Sequence, residues 1–165
     1  KFKKKRKYKF IWLIGEYSKS KTEQIFDLII KSDYTKKNYK LVFRPHPSDT
    51  GDFYNKNKNI FHTIDDKEEY ENGDLMIGDS TSSYLVESYL MGRKVLVFER
   101  QCEINLSAFY MTKMSPNSFS NFVELNFYLN SYKKIEKANK KLAYNFYEKN
   151  VNYTKWVSVL NENNF

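Results

Sequence analysis

Leu75-Met76-Ile77-Gly78-Asp79-Ser80-Thr81-Ser82-Ser83-Tyr84-Leu85-Val86-Glu87-Ser88-Tyr89-Leu90-Met91-Gly92, followed by Arg93-Lys94-Val95-Leu96-Val97-Phe98, is the stretch that decides the fold. The short apolar run Leu75 to Ile77, closed by Gly78, reads as a buried strand. Ser82 to Met91 has the length and residue types of a helix and stops at Gly92, and Val95 to Phe98 reads as a second buried strand. Strands that are apolar on both faces, with a helix between them, predict a parallel sheet covered on both sides.

The same alternation continues outward. Phe10 to Ile14 is an apolar strand bounded by Gly15, and Thr22 to Lys31 carries Ile25, Phe26, Leu28, Ile29 and Ile30 at helical spacings, with Ser20 or Thr22 able to cap its start. Tyr39 to Phe43 is a further strand. It ends at Arg44-Pro45-His46-Pro47, because proline removes donors from the ladder. A polar loop is expected next, then a short strand within Asn59 to Ile64. Asp65 and Asp66, each three residues before a glutamate (Glu68, Glu69), resemble capping boxes of a short helix that Asn72-Gly73 ends. Downstream, Phe119 to Leu129 and a longer, lysine-rich Lys133 to Lys149 have helical patterns. The predicted class is α/β: a Rossmann-like parallel sheet with helices on both faces and a helical C-terminal tail. It forms a single domain with a basic flank at residues 1–9, an α/β core at 10–130 and the tail at 131–165.

The net charge of +8 over 165 residues predicts a surface that attracts anions, such as nucleic acid, an acidic lipid face, a nucleotide donor or a polyanionic glycan. Cys102 is the only cysteine, so no intramolecular disulfide and no cysteine cluster for zinc can form, and a reducing, cytoplasmic setting is expected. No run approaches the roughly 20 apolar residues of a membrane span. The basic flank Lys1 to Lys9 would permit peripheral contact with an anionic inner membrane face. It has two other readings, contact with an anionic acceptor glycan and the solvated edge of a longer chain. Aromatic residues make up 18% of the chain, enough to predict folding despite the many Lys and Asn residues.

In an open parallel sheet, ligands bind outside the carboxyl ends of the strands, which directs attention to two segments. Arg44 and His46 each precede a proline and are biased toward extended backbone, where residues two apart point the same way. A guanidinium and an imidazole held side by side suit a phosphate or diphosphate, and His46 could neutralise the leaving phosphate or donate a proton to it. The plainer reading is that Pro-His-Pro only terminates a strand, leaving the histidine half exposed. The second segment, Gly78-Asp79-Ser80-Thr81-Ser82-Ser83, leads from strand into helix, where unpaired N–H groups and the dipole favour an anion. Glu87 shares a helix face with Ser83 and could accept both hydroxyls of a ribose. The plainer reading is a serine-rich helix cap with Glu87 as a solvated charge.

Asp74 to Glu87, continuing through Met91 to Phe98, resembles the donor-site strand, helix and strand of GT-B glycosyltransferases. Arg44-Pro45-His46-Pro47 resembles the His-Pro motif, and Ser82-Ser83 the paired-serine motif, of bacterial polysialyltransferases and related capsule enzymes. CDP-glycerol glycerophosphotransferases are similar in this region. The resemblance covers roughly Tyr39 to Phe98 and implies the C-terminal, donor-binding half of a GT-B enzyme of capsule or lipooligosaccharide synthesis. It implies His46 as the catalytic group at the donor phosphate, with Arg44, Pro47, Asp79, Ser80, Thr81, Ser82, Ser83 and Glu87 binding the donor. The substrate would be a CMP-, UDP- or CDP-linked sugar, the acceptor a glycan or lipid-linked glycan, and no separate cofactor or metal is implied. An N-terminal acceptor domain carrying the general base is expected to complete the enzyme; without it the chain would be a donor-binding subunit.

Other residues have ordinary expectations. His62 should lie at the surface or a sheet edge. Asp79 could orient Ser82 or a sugar hydroxyl, or bond its own turn. Phe109, Tyr110, Phe119, Phe122, Phe127 and Tyr128 should pack under the last helices. Charge and aromatic content also fit a nucleic-acid-binding module, but the chain lacks an RNA-recognition signature or a basic reading helix, so nucleic acid is not an expected partner.

Overall fold

The computed structural model describes residues 7–32, 39–64, 70–71, 73–100, 109 and 114–138. Its centre is β1 (Lys9–Ile14), an apolar run buried from Phe10 onward, which leads through Gly15 to Ser18 into α1 (Lys19–Lys31). Strand β2 (Tyr39–Arg44) pairs with β1 in parallel over its whole length, from Lys9 opposite Tyr39 to Ile14 opposite Arg44. Helix α2 (Asp52–Asn57) follows, then β3 (Thr63–Ile64), β4 (Leu75–Asp79), α3 (Ser83–Leu90), β5 (Val95–Phe98), β6 (Asn117–Phe119) and α4 (Phe122–Asn130). Among the described residues six strands run in the order β3-β2-β1-β4-β5-β6 and every pairing is parallel. The fold is α/β and Rossmann-like.

Because successive strand residues point to opposite faces, each apolar strand feeds two cores. On one face Ile11, Leu13, Leu41, Phe43, Leu75, Ile77, Leu96 and Phe98 pack against Ile25, Phe26 and Ile29 of α1, Phe53 of α2, and Leu125 and Leu129 of α4. On the other, Phe10, Trp12, Ile14, Met76, Val95 and Val97 pack against Leu85, Val86, Tyr89 and Leu90 of α3. Helices therefore cover both faces, as the doubly apolar strands predict. Gly92 ends α3 in a left-handed conformation with φ of 75°.

Several boundaries differ from the sequence reading. The presumed polar loop after β2 contains α2, whose residues Asp52 to Asn57 offer just one buried side chain, Phe53, and so no readable apolar stripe. The strand expected from Asn59 is only Thr63–Ile64. Helix α1 begins at Lys19 with Ser18 as its cap position, because the Thr22 hydroxyl is engaged elsewhere, accepting the Glu16 N–H at 2.9 Å. Strand β4 continues through Gly78 to Asp79. Phe119 does not start a helix. It ends β6, buried against Phe98, and α4 starts after Asn121, whose Oδ1 accepts the N–H groups of Val123 and Glu124. No long helix starts at Lys133: Tyr132–Lys134 is one 3-10 turn and residues 135–138 are not helical. The remainder of that tail, the capping boxes at 65–69, Tyr110, and residues 1–6 of the basic flank lie outside the described residues.

Candidate functional site

The strand order reverses at β1: the chain crosses from β1 to β2 on one side and reaches β4 on the other. At such a switch point the loops leaving adjacent strands diverge and open a crevice at the carboxyl ends. A cleft of about 380 Å³ occupies that place, walled by Gly15, Glu16 and Tyr17 after β1, by Arg44 to Pro47 after β2, and by Thr81 to Tyr84 and Glu87 at the start of α3. The two segments singled out in the sequence thus meet across one space, though separated by the loop after β1.

Close backbone approach holds the first two walls together. The Gly15 N–H donates to the Arg44 carbonyl at 2.7 Å, continuing the β1–β2 ladder one residue beyond the strands. A Cβ on Gly15 would stand 2.8 Å from the His46 nitrogen and 3.1 Å from the Arg44 oxygen, so glycine alone fits. The Ser48 N–H donates to His46 Nδ1 at 3.2 Å, and the Ser48 hydroxyl lies 2.7 Å from the same atom. A backbone N–H can only donate, so Nδ1 is the acceptor and the neutral ring carries its hydrogen on Nε2. His46 is thereby set to donate from Nε2. The Tyr17 ring meets the imidazole edge-on at 5.9 Å. Arg44, as its two-residue spacing from His46 predicts, lines the same cleft, its guanidinium 3.7 Å from the centre of the Tyr84 ring.

On the α3 side Ser82 is the N-cap residue and buried, but its side chain makes no cap hydrogen bond. Thr81, Ser83 and Glu87 are exposed on the cleft wall. Two of the expected donor-binding residues do not line the cleft. Asp79 lies behind it, 2% exposed, where it pairs with Lys21 at 3.1 Å and accepts the Thr81 N–H and hydroxyl at 3.0 and 2.6 Å. It is a turn residue serving its own backbone, one of the two readings the sequence left open. The Ser80 N–H is engaged by the Phe98 carbonyl at 3.2 Å, an extension of the β4–β5 ladder. The remaining expected residues, Arg44, His46, Pro47, Thr81, Ser82, Ser83 and Glu87, all line the cleft.

Sequence reasoning passed over Glu16. Its N–H is fixed by Thr22, and its Oε1 accepts the Asp79 N–H at 3.3 Å. Gly78 leaves the room: a Cβ there would reach within 3.0 Å of Ile14 and Leu85 and 3.4 Å of Glu16 Oε1. Burial first, and the neighbouring Asp79 charge second, raise the Glu16 pKa from 4.5 to about 7. The available signal was position: Glu16 leaves β1 as Arg44 leaves β2, and the carboxyl-end rule applies to both.

His62 is exposed beside the edge strand β3, with Tyr8 Oη 3.1 Å from its Nε2, as expected of a surface residue. Phe109 and Phe119 are buried, whereas Phe122 and Phe127 are 39% and 48% exposed, so packing of the late aromatics is divided. Among the described residues no group of three His, Cys, Asp or Glu side chains is placed to hold a metal ion, and no helix is long and apolar enough to cross a membrane. No family model matches the chain, and no match is found among curated proteins or solved structures.

Proposed function

We propose that this chain is the donor-binding domain of a nucleotide-sugar-dependent glycosyltransferase of GT-B type, with a sialyltransferase-like role in capsule or lipooligosaccharide synthesis. One observation carries the reading: Arg44 and His46 after β2, and Ser82, Ser83 and Glu87 at the start of α3, wall a single cleft at the sheet's switch point. In this reading the nucleotide lies across the cleft, with its phosphates between His46 and the N–H groups opening α3, and its ribose toward Glu87. An acceptor hydroxyl oxygen attacks the anomeric carbon and the bond to the donor phosphate breaks. The electron pair leaves with the phosphate, where Arg44 and His46 Nε2–H stabilise the growing charge. The acceptor proton passes to a base on a separate acceptor domain.

Calorimetric titration of CMP, CDP and UDP tests the assignment. At least one nucleotide is expected to bind the wild type, and His46→Ala and Glu87→Ala are each expected to weaken it about tenfold, equivalent to about 1.4 kcal/mol. Affinity unchanged from the wild type in both variants refutes the site. Binding of single-stranded RNA with a steep salt dependence and no mononucleotide binding would favour the nucleic-acid reading instead.

A further inference from the structure

We propose that Glu16 is a phosphate-binding residue of the cleft, its protonated carboxyl donating a hydrogen bond to a phosphoryl oxygen, so that nucleoside diphosphate binding tightens as the pH falls. This rests on the reading of the cleft as a nucleotide site. The geometry begins with position: Glu16 stands between the His46 wall and the Ser82 wall, on the loop leaving the central strand. Its backbone is held by Thr22 and its Oε1 is occupied by the Asp79 N–H, which leaves Oε2 to carry a proton.

The charged and titratable groups facing it come from each surrounding element. Asp79 at the tip of β4 meets Glu16 through its backbone N–H and carries the neighbouring carboxylate; Lys21 of α1 is the nearby ammonium, and it pairs with Asp79 at 3.1 Å. Arg44 and His46 from the β2 side and Glu87 from α3 line the same cleft, and Lys19, Asp49 and Asp52 line the adjoining hollow on its other side. Burial disfavours the ionised Glu16 carboxyl, and the neighbouring Asp79 charge acts in the same direction, so the carboxyl retains its proton. Protonated, Glu16 is a donor beside His46 Nε2–H and the start of α3. Ionised, it presents a negative charge to the phosphate and repels it.

The test is titration of CDP, or of UDP where CDP does not bind, at pH 6 and pH 8 with the wild type, Glu16→Gln and His46→Ala, with circular dichroism confirming that each variant is folded. Glutamine keeps a donor at both pH values, and comparison at matched pH cancels the titration of the nucleotide itself. At pH 6 the wild type and Glu16→Gln should bind within about twofold of each other, while at pH 8 the variant should bind at least about fivefold tighter. The factor at pH 8 reflects a donor replaced by a repelling charge in the wild type but not in the variant. A wild-type to Glu16→Gln affinity ratio that is the same at both pH values overturns the proposal. If His46→Ala still weakens CDP in that case, the nucleotide site stands without it. Absence of both CDP and UDP binding to the wild type and to Glu16→Gln at both pH values overturns this proposal, and the site falls with it if CMP does not bind the wild type either.

Discussion

At Glu16 two forces act in one direction, since the desolvated carboxyl also stands against Asp79 and both effects favour its proton. Its pKa is 4.5 when unperturbed and about 7 in the folded chain, so between these values the folded state binds more protons than the unfolded one. The stability this linkage contributes is therefore complete below pH 4.5 and is lost as the pH rises through about 7. At 1.36 kcal/mol per pH unit, a span of this width is worth about 3 kcal/mol. Glu16→Gln removes the proton linkage. Urea denaturation at pH 5 and pH 8 should show the variant gaining about 2 to 3 kcal/mol relative to the wild type at the higher pH. A difference independent of pH would contradict the coupling. Nothing local in Gly15-Glu16-Tyr17 announces this, because the perturbing carboxylate is Asp79, 63 residues along the chain. Arg44 and His46 were readable, by contrast, because their shared direction follows from adjacent prolines and spacing alone.

Two helix starts divide the labour of capping differently. Asn121 accepts the Val123 and Glu124 N–H groups at 3.0 and 3.1 Å, while the Glu124 carboxylate reaches back to the Ser120 N–H at 2.6 Å. Ser82, at the head of α3, leaves its helix N–H groups without a side-chain cap and lines the cleft. Asn121→Ala should cost about 1 kcal/mol in thermal or chemical denaturation. Ser82→Ala should cost less than Asn121→Ala yet reduce nucleotide affinity, since its removal disturbs the cleft rather than the cap. The reverse order of stability losses would show that Ser82 is an ordinary cap. The legible elements were those with dense apolar patterns: β1, β2, β4, β5, α1 and α3 could be placed from Ile, Leu, Val and Phe alone. Helix α2, with Phe53 as its one buried residue, and β6, three residues ending at Phe119, carry too little pattern for either period to register. Their structure comes from tertiary packing against Phe43, Phe61 and Phe98.

In the molecule as a whole, the two ends of the sheet have different work. At the carboxyl ends the strands diverge into the cleft, and at the amino ends Asp74 ties them together. Asp74 is 1% exposed and accepts the Phe10 N–H at 2.8 Å, the Trp12 indole N–H at 3.2 Å and the Glu71 N–H at 2.9 Å. Tyr70 and Tyr132 both donate to its carbonyl, at 3.0 and 3.2 Å. Asp74→Ala withdraws the acceptor from three donors at once and should lower stability by at least about 3 kcal/mol in urea denaturation. The folded fraction should bind nucleotide as the wild type does, because the lesion is at the opposite end from the cleft. A loss below about 1 kcal/mol would mean that the amino-end network contributes little. The α/β class and helices on both faces followed from the alternation of apolar strands and helices. The strand order did not, since the neighbours β1 and β4 are joined by contacts far apart in sequence, and Asp74 read only as the residue before a strand.

Those same outermost strands govern how the protein behaves when crowded. Among the described residues β3 has two residues and β6 three, so each margin of the sheet there offers a visiting chain very few main-chain groups with which to register. A Rossmann-like sheet with such abbreviated margins resists growth by strand addition, and concentrated solutions of the folded domain should remain free of cross-β aggregate without any need for charge repulsion.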